Sequence, residues 1–322
     1  MDRKSLREFT HKADHLLTIG NLNYKQWVFR YTFLELEKDL GTNGDITSEI
    51  VCGEDDKRVT AQITAKEEGV LAGREEIEYF LVKADPNFRP SIKGEFEVKF
   101  NFNDGDKFKK DDVLATINGL AKDVLAVERT TLNLLMHMSG VATYTQKLVE
   151  QVGDKALLCP TRKTTWGLLD KKAVSIGGGG THRTNLSDAI LVKDNHLAIL
   201  KGDFDLLLEK LSKSSKTARF CEIEVENKQQ ALELSEKLGQ WVRNGQIIYP
   251  VAILLDNMSP AEITQTISEL QKTENYDHIL YEASGGINEK TLQEYAETGV
   301  DMISMGCLTN GVKTVDMSMG IE

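Results

Sequence analysis

After Pro160 the chain repeats one pattern, and that repeat limits the possible fold more than any other feature. Short apolar runs fall at 156–159, 189–192, 220–225, 251–255, 279–283 and 302–305. Between most of them lie stretches whose apolar residues recur at helical spacing, at 204–211, 231–238 and 263–270. Ser259, Pro260 and Glu262 make a helix start, with Ser as N-cap, Pro at the first helical position and Glu at the third. Alternating strands and helices predict a parallel sheet. Six clear strands suit an incomplete βα barrel, with an open doubly wound sheet as the alternative.

The first part of the chain has a different rhythm. Residues 1–40 read as helical, with Phe29, Phe33, Leu34 and Leu36 following Trp27 at roughly helical spacing. Val59, Ala61, Ile63 and Ala65 then alternate with polar neighbours, as do Phe96, Val98, Phe100 and Phe102. Alternation of that kind predicts half-buried strands. The first 120 residues therefore read as helices plus an antiparallel sheet. A long helix is expected from about Glu128. The segment 111–116 is read as a turn and an edge strand.

In parallel βα architectures the C-terminal strand ends form the active face. Here those ends carry Thr161, Arg162 and Lys163; Lys193, Asp194 and Asn195; Glu222, Glu224 and Glu226; Asp256 and Asn257; Ser284, Gly285 and Gly286; and Gly306. Simple loop polarity does not account for their sorting into cationic and acidic ends. Arg162, Lys163, His182, Arg183 and Lys193 form a positive cluster on a chain with 39 basic and 50 acidic residues. Arg offers a planar fork suited to carboxylate or phosphate, and Lys a point charge. Lys171 and Lys172 read instead as a solvated helical face. Asp256 with one glutamate of 222–226 suits a hard divalent cation. The glycine run 177–180 allows close approach of backbone to a ligand. It lacks the spacing of a dinucleotide or Walker loop. Glycines at the late strand ends suit a phosphate seat.

Charge and composition exclude other classes. A net charge of −11 argues against a nucleic-acid binder. No window approaches the roughly 18 apolar residues of a membrane span. Cys52, Cys159, Cys221 and Cys307 are far apart, against both a zinc site and a disulfide framework. The charged N-terminus has no apolar core of a signal peptide. A cytoplasmic enzyme is expected.

The chain resembles the quinolinate phosphoribosyltransferase family. The matching stretches are 44–48 (GDITS), 128–133 (ERTTLN), 161–164 (TRKT), 178–180 with His182 and Arg183, 186–188 (LSD), 193–196 (KDNH), 224–226 (EVE), 255–257 (LDN), 282–287 (EASGGI) and 303–306 (ISMG). They run in order over roughly residues 44–309. The resemblance implies an N-terminal α/β sandwich and a seven-stranded parallel βα barrel. The expected boundaries are 1–127 for the sandwich with a helical extension, 128–309 for the barrel, and 310–322 for a tail returning to the first domain. It also implies a homodimer, or a higher oligomer, with shared active sites. The implied reaction joins quinolinate and phosphoribosyl pyrophosphate to give nicotinate mononucleotide, pyrophosphate and carbon dioxide, with Mg²⁺.

By position, the resemblance implies that Arg129 reaches the partner's site. Arg162, His182 and Arg183 would hold the quinolinate carboxylates, and Lys163 and Lys193 would contact both substrates. Glu226 and Asp256 would serve the ribose and Mg²⁺, and Ser284, Gly285, Gly286 and Gly306 would seat phosphate. Three residues depart from the family pattern: Trp166, Thr181 and Asn310. A related transferase for nicotinate or another aromatic acid would share the fold. Four groups suited to carboxylates exceed what a single carboxylate needs. A non-catalytic barrel would have no reason to keep Lys193, Glu226 and Asp256. His137 reads as a satisfied core or interface residue.

Overall fold

The computed structural model describes residues 2–54, 56–89, 91–214 and 217–322. The chain forms two compact units. One comprises residues 1–13, 147–163 and 179–308; the other comprises 14–146, 164–178 and 309–322. The boundary expected at 127/128 lies inside a continuous helix, Ala121–Val152, which starts seven residues before Glu128.

The first unit is built on a parallel sheet of six strands. In spatial order these are Leu157–Pro160, Met302–Met305, Ile279–Ser284, Val251–Asp256, Cys221–Val225 and Ile190–Val192. Each falls within a residue or so of its apolar run. Gly180 donates its N–H to Leu158 O at 2.7 Å. That bond brings an irregular segment against Leu157–Pro160 in place of a regular seventh strand. Ser259 caps Pro260–Leu270 by accepting from Glu262 N–H at 3.3 Å, as the sequence predicts.

Inside the sheet, alternate residues share a face. Leu157, Cys159, Ala252, Leu280 and Met302 form a buried apolar cluster with Leu6 packed against it. Two residues further along their strands stand Glu282 and Ser304, also buried. Two further again come Ser284 and Gly306. The interior thus passes from apolar to buried polar to open polar along the strand direction.

Leu6 belongs to the helix Arg3–His11, whose N-cap Asp2 accepts from Ser5 N–H at 2.9 Å. Arg3 donates to Ile279 O at 2.9 Å and to Asp301 at 3.2 Å, and its guanidinium lies 3.9 Å from the Tyr276 ring centre. Thr181 N–H donates to His11 O at 2.6 Å. A Cβ on Gly180 would sit 2.8 Å from that same oxygen. What Gly180 of the glycine run admits is therefore the end of this helix. Thr181, one of the departures from the family pattern, accepts from Ala13 N–H at 2.9 Å and fastens the same junction.

The second unit holds a four-stranded antiparallel sheet, in the order Met317–Ile321, Arg58–Ala65, Val113–Leu120, Glu97–Phe100. Val113–Leu120 has neighbours on both sides, so the edge-strand expectation for 111–116 is corrected. Asp111 with φ 71° makes the turn that precedes it. The helix Leu22–Leu40 buries Tyr24, Val28, Phe33 and Leu36, and Phe33 sits edge-on to Tyr79 and Phe80. Lys171 is buried, and Lys172 donates to Glu75 at 3.1 Å and to Leu17 O at 2.7 Å. The solvated-face reading of this lysine pair fails because both point back into the unit.

Candidate active site

In the barrel unit the polar strand ends divide into an acidic side and a basic side. On the acidic side, Lys193 follows the strand Ile190–Val192, and its Nζ lies 3.2 Å from Glu224 Oε2. Burial pushes the Glu224 pKa up and Lys193 pulls it back, while Asp256 and Asp194 push it further up. These four groups therefore share one electrostatic neighbourhood. Glu226, the sequence-based choice, lies past the end of Cys221–Val225 and is exposed, with its N–H donating to Gln230 at 2.9 Å. The glutamate that meets Lys193 is Glu224. The strand is one residue too short to hold Glu226 on its inner face.

Asp256 is half-buried and accepts from Asn257 Nδ2 at 2.5 Å. Asn257 N–H donates to Ser284 O at 2.9 Å, tying two neighbouring strand ends together. Gly285 has φ 99°, and a Cβ there would lie 2.4 Å from Asn257 Oδ1. Only glycine fits. Gly286 has φ 65° and open space around its Cα, and Gly306 opens the turn after Met302–Met305. Gly286 and Gly306 thus have room beside their backbone, which suits anion seating at this end of the sheet.

On the basic side, Arg162 and Lys163 are exposed in the loop after Leu157–Pro160. Arg183 is buried, and its Nε has no hydrogen-bond partner. Burial, and then the nearby Arg162, weaken its hold on its proton. Two guanidiniums brought together in this way are stabilised by a multiply charged anion. The loop carrying Arg183 is fixed from behind. Asp188 binds Arg219 twice, at 3.0 and 2.6 Å, and Arg219 also donates to His182 O at 2.8 Å. Sequence reading matched Asp188 to a family motif without giving it a role, and missed Arg219.

His182 has a φ of 50°, and its Nδ1 accepts from Arg183 N–H at 2.6 Å. Its Nε2 lies 3.0 Å from Glu222 and 3.4 Å from Glu282. Both ring nitrogens thus have partners inside the barrel, and His182 supports the backbone of Arg183. Burial opposes a charged ring, but Glu282 and Glu222 outweigh it and lift the His182 pKa to about 9. A second proton would have to displace Arg183 N–H from Nδ1, so the geometry described is that of the neutral ring with its proton on Nε2.

His11 completes the cluster, with its Nε2 3.3 Å from Glu282 Oε2. One donor atom from each of His11, His182, Glu222 and Glu282 lies within 4.8 Å of the others, a spacing compatible with a metal. The Arg183 bond argues against one. A metal on Nε2 would leave His182 with no ring proton at all.

In the other unit, Arg129 is exposed on the helix Ala121–Val152. It lines a recess of about 380 Å³ with Tyr31, Lys38, Asn133 and Trp166. Trp166 is sandwiched between Tyr31 and His137, with ring centres 4.6 and 4.3 Å away. His137 bonds Asp170 at 2.5 Å, the satisfied state expected of it. Among the described residues no cysteine forms a disulfide, and no helix is long and apolar enough to cross a membrane.

Comparison with known proteins agrees with this geometry. The profile described as quinolinate phosphoribosyl transferase, C-terminal domain, matches residues 141–320, and the corresponding N-terminal domain profile matches 45–139. A probable nicotinate-nucleotide pyrophosphorylase (carboxylating) from Methanothermobacter thermautotrophicus is 38% identical over 283 residues, 86% of this chain and 93% of that protein. A nicotinate-nucleotide pyrophosphorylase (carboxylating) from Mycobacterium leprae is 35% identical over 82% of this chain and 86% of its own. The crystal structure of nicotinate-nucleotide pyrophosphorylase from Ehrlichia chaffeensis superposes with a TM-score of 0.74 at 33% identity, covering 93% of this chain and 98% of that one.

Proposed function

The chain belongs to the quinolinate phosphoribosyl transferase family, and on that premise we propose that it transfers phosphoribose from phosphoribosyl pyrophosphate to quinolinate with loss of carbon dioxide. The products are nicotinate mononucleotide, pyrophosphate and carbon dioxide, a step of NAD biosynthesis. The observation that carries this reading is the pairing of Arg162 with the buried, underused guanidinium of Arg183. Such a pair favours a dianion with two adjacent carboxylates over a monocarboxylate.

The pyridine nitrogen forms a bond to the anomeric carbon as the bond from that carbon to the pyrophosphate oxygen breaks. The carbon becomes oxocarbenium-like, and the carboxylates of Glu224 and Asp256 stabilise the positive charge. Lys193, held by Glu224 at 3.2 Å, and Lys163, after the strand at the opposite edge of the sheet, offset negative charge on both substrates. Backbone at Ser284, Gly285, Gly286 and Gly306 seats the phosphate. Loss of the 2-carboxylate as carbon dioxide leaves an electron pair on the ring carbon, which takes up a proton.

Asp256 and Glu226 are solvent-accessible carboxylates at strand ends, and their hard oxygens with bound water fit Mg²⁺. When bound, that ion neutralises charge on the pyrophosphate. We place Arg129 in the active site of a homodimer partner, where its exposure and the recess beside it support such a role. A cytoplasmic setting fits the cysteines' lack of disulfides among the described residues.

The test is pyrophosphate release with Mg²⁺ and phosphoribosyl pyrophosphate, comparing quinolinate with nicotinate while trapping carbon dioxide. Release with quinolinate alone, matched mole for mole by carbon dioxide, is expected. Release with nicotinate and no carbon dioxide would move the substrate to a monocarboxylate.

A further inference from the structure

We propose that His11, at the end of the N-terminal helix, is a positioning residue for the quinolinate site. Its ring Nε2 holds Glu282 in place, and Glu282 in turn fixes His182 and the Arg183 beside it. The proposal rests on the functional reading above. Neither family profile covers residue 11; the matches begin at residue 45.

His11 is held on both sides of its ring. Its Nδ1 lies 2.8 Å from Thr10 Oγ1, a hydroxyl that also stands 2.8 Å from Leu6 O. The other ring nitrogen, Nε2, faces Glu282 Oε2 at 3.3 Å where both residues are fully buried. Two lone pairs do not face each other in a dry site, so a proton lies between them. Against the pull of burial, His182 and His11 beside it hold Glu282 far below the ordinary carboxylate range. Burial, and then the charge of Glu282, push Glu222 the other way.

The consequence reaches the substrate side through hydrogen bonds already described. Glu282 accepts from Ser304 and stands 3.4 Å from His182 Nε2. His182 Nδ1 accepts the Arg183 N–H. Arg219 donates to Thr10 O and His182 O and is paired with Asp188, so it cannot replace His11 as partner of Glu282. His11 also stacks on Phe220 at 4.6 Å, so an aromatic substitute keeps the packing while removing the proton.

The experiment is steady-state kinetics of the full chain, wild type first, then His11→Phe and His11→Gln. Turnover of quinolinate by the wild type tests the functional reading separately. His11→Phe is expected to raise the quinolinate KM about tenfold or more while the phosphoribosyl pyrophosphate KM stays within about twofold. His11→Gln, which restores an N–H toward Glu282, should recover part of that loss. An unchanged quinolinate KM in folded His11→Phe, or equal rises in both KM values, would overturn the proposal. Should that variant fail to fold, ¹⁵N-imidazole NMR of the wild type decides. The His11 Nε2 should carry a proton, whether or not quinolinate is a substrate. A bare Nε2, or a stoichiometric transition metal at the cluster, would refute it.

Discussion

Arg162 and Arg183 illustrate how unevenly a sequence shows its site. Both were legible as cations near strand ends, because guanidinium groups on an acidic chain need a reason to cluster. Their difference was not: Arg162 is exposed, whereas Arg183 is buried with its Nε unpartnered. Arg162 can therefore be removed without leaving a buried charge stranded, and it is the better probe of substrate binding. Arg162→Ala is expected to raise the quinolinate KM about ten- to a hundredfold, with the phosphoribosyl pyrophosphate KM within about twofold of wild type. Steady-state kinetics with each substrate varied in turn would show this, and equal losses would remove Arg162 from the carboxylate clamp. Glu224 and Glu226 show the limit of period-two reasoning. Alternation placed both on one strand face but could not say where the strand stops. It stops at Val225, so Glu224 meets Lys193 and Glu226 does not.

Elements were legible where the signal is local. The cap at Ser259 and the apolar runs of the six parallel strands needed only neighbours in sequence. The failures were long-range. Lys171 and Lys172 looked solvated because the groups around Lys172, Glu75 and Leu17 O, lie about a hundred or more residues away in the chain. The docking of Leu22–Leu40 is another such contact. Tyr24 OH on that helix donates to Glu76 at 2.5 Å, and both residues are fully buried. Burial, and then Asp104, raise the Glu76 pKa from 4.5 to about 7. A carboxyl raised in the folded state stabilises fully below its unfolded pKa and loses that contribution as pH rises through the folded value. The wild type should therefore lose stability between about pH 4.5 and 7 through this group. Glu76→Gln, which still accepts from Tyr24, should match wild type near pH 5 and exceed it at pH 8 by on the order of 3 kcal/mol. Urea unfolding at the two pH values measures this, and a difference independent of pH would show that Glu76 is already ionised in the folded protein.

At the scale of the molecule, the proposed site draws on two subunits, and that has a consequence no single-chain property can imitate. If Arg129 serves the partner's site while Arg162 serves its own, Arg129→Ala and Arg162→Ala each disable every site of their homodimers. In a mixed dimer the losses sort differently. One site receives intact Arg129 from the Arg162→Ala chain and intact Arg162 from the Arg129→Ala chain, and the other site receives neither. Random exchange makes half the dimers mixed, each with one whole site, so recovery of about a quarter of wild-type activity is expected from two nearly inactive preparations. The activity should rise with the rate of subunit exchange and vanish if exchange is prevented by cross-linking beforehand. If Arg129 instead serves its own chain, every chain in the mixture carries one broken site, and activity stays at the sum of the two parents however long they exchange.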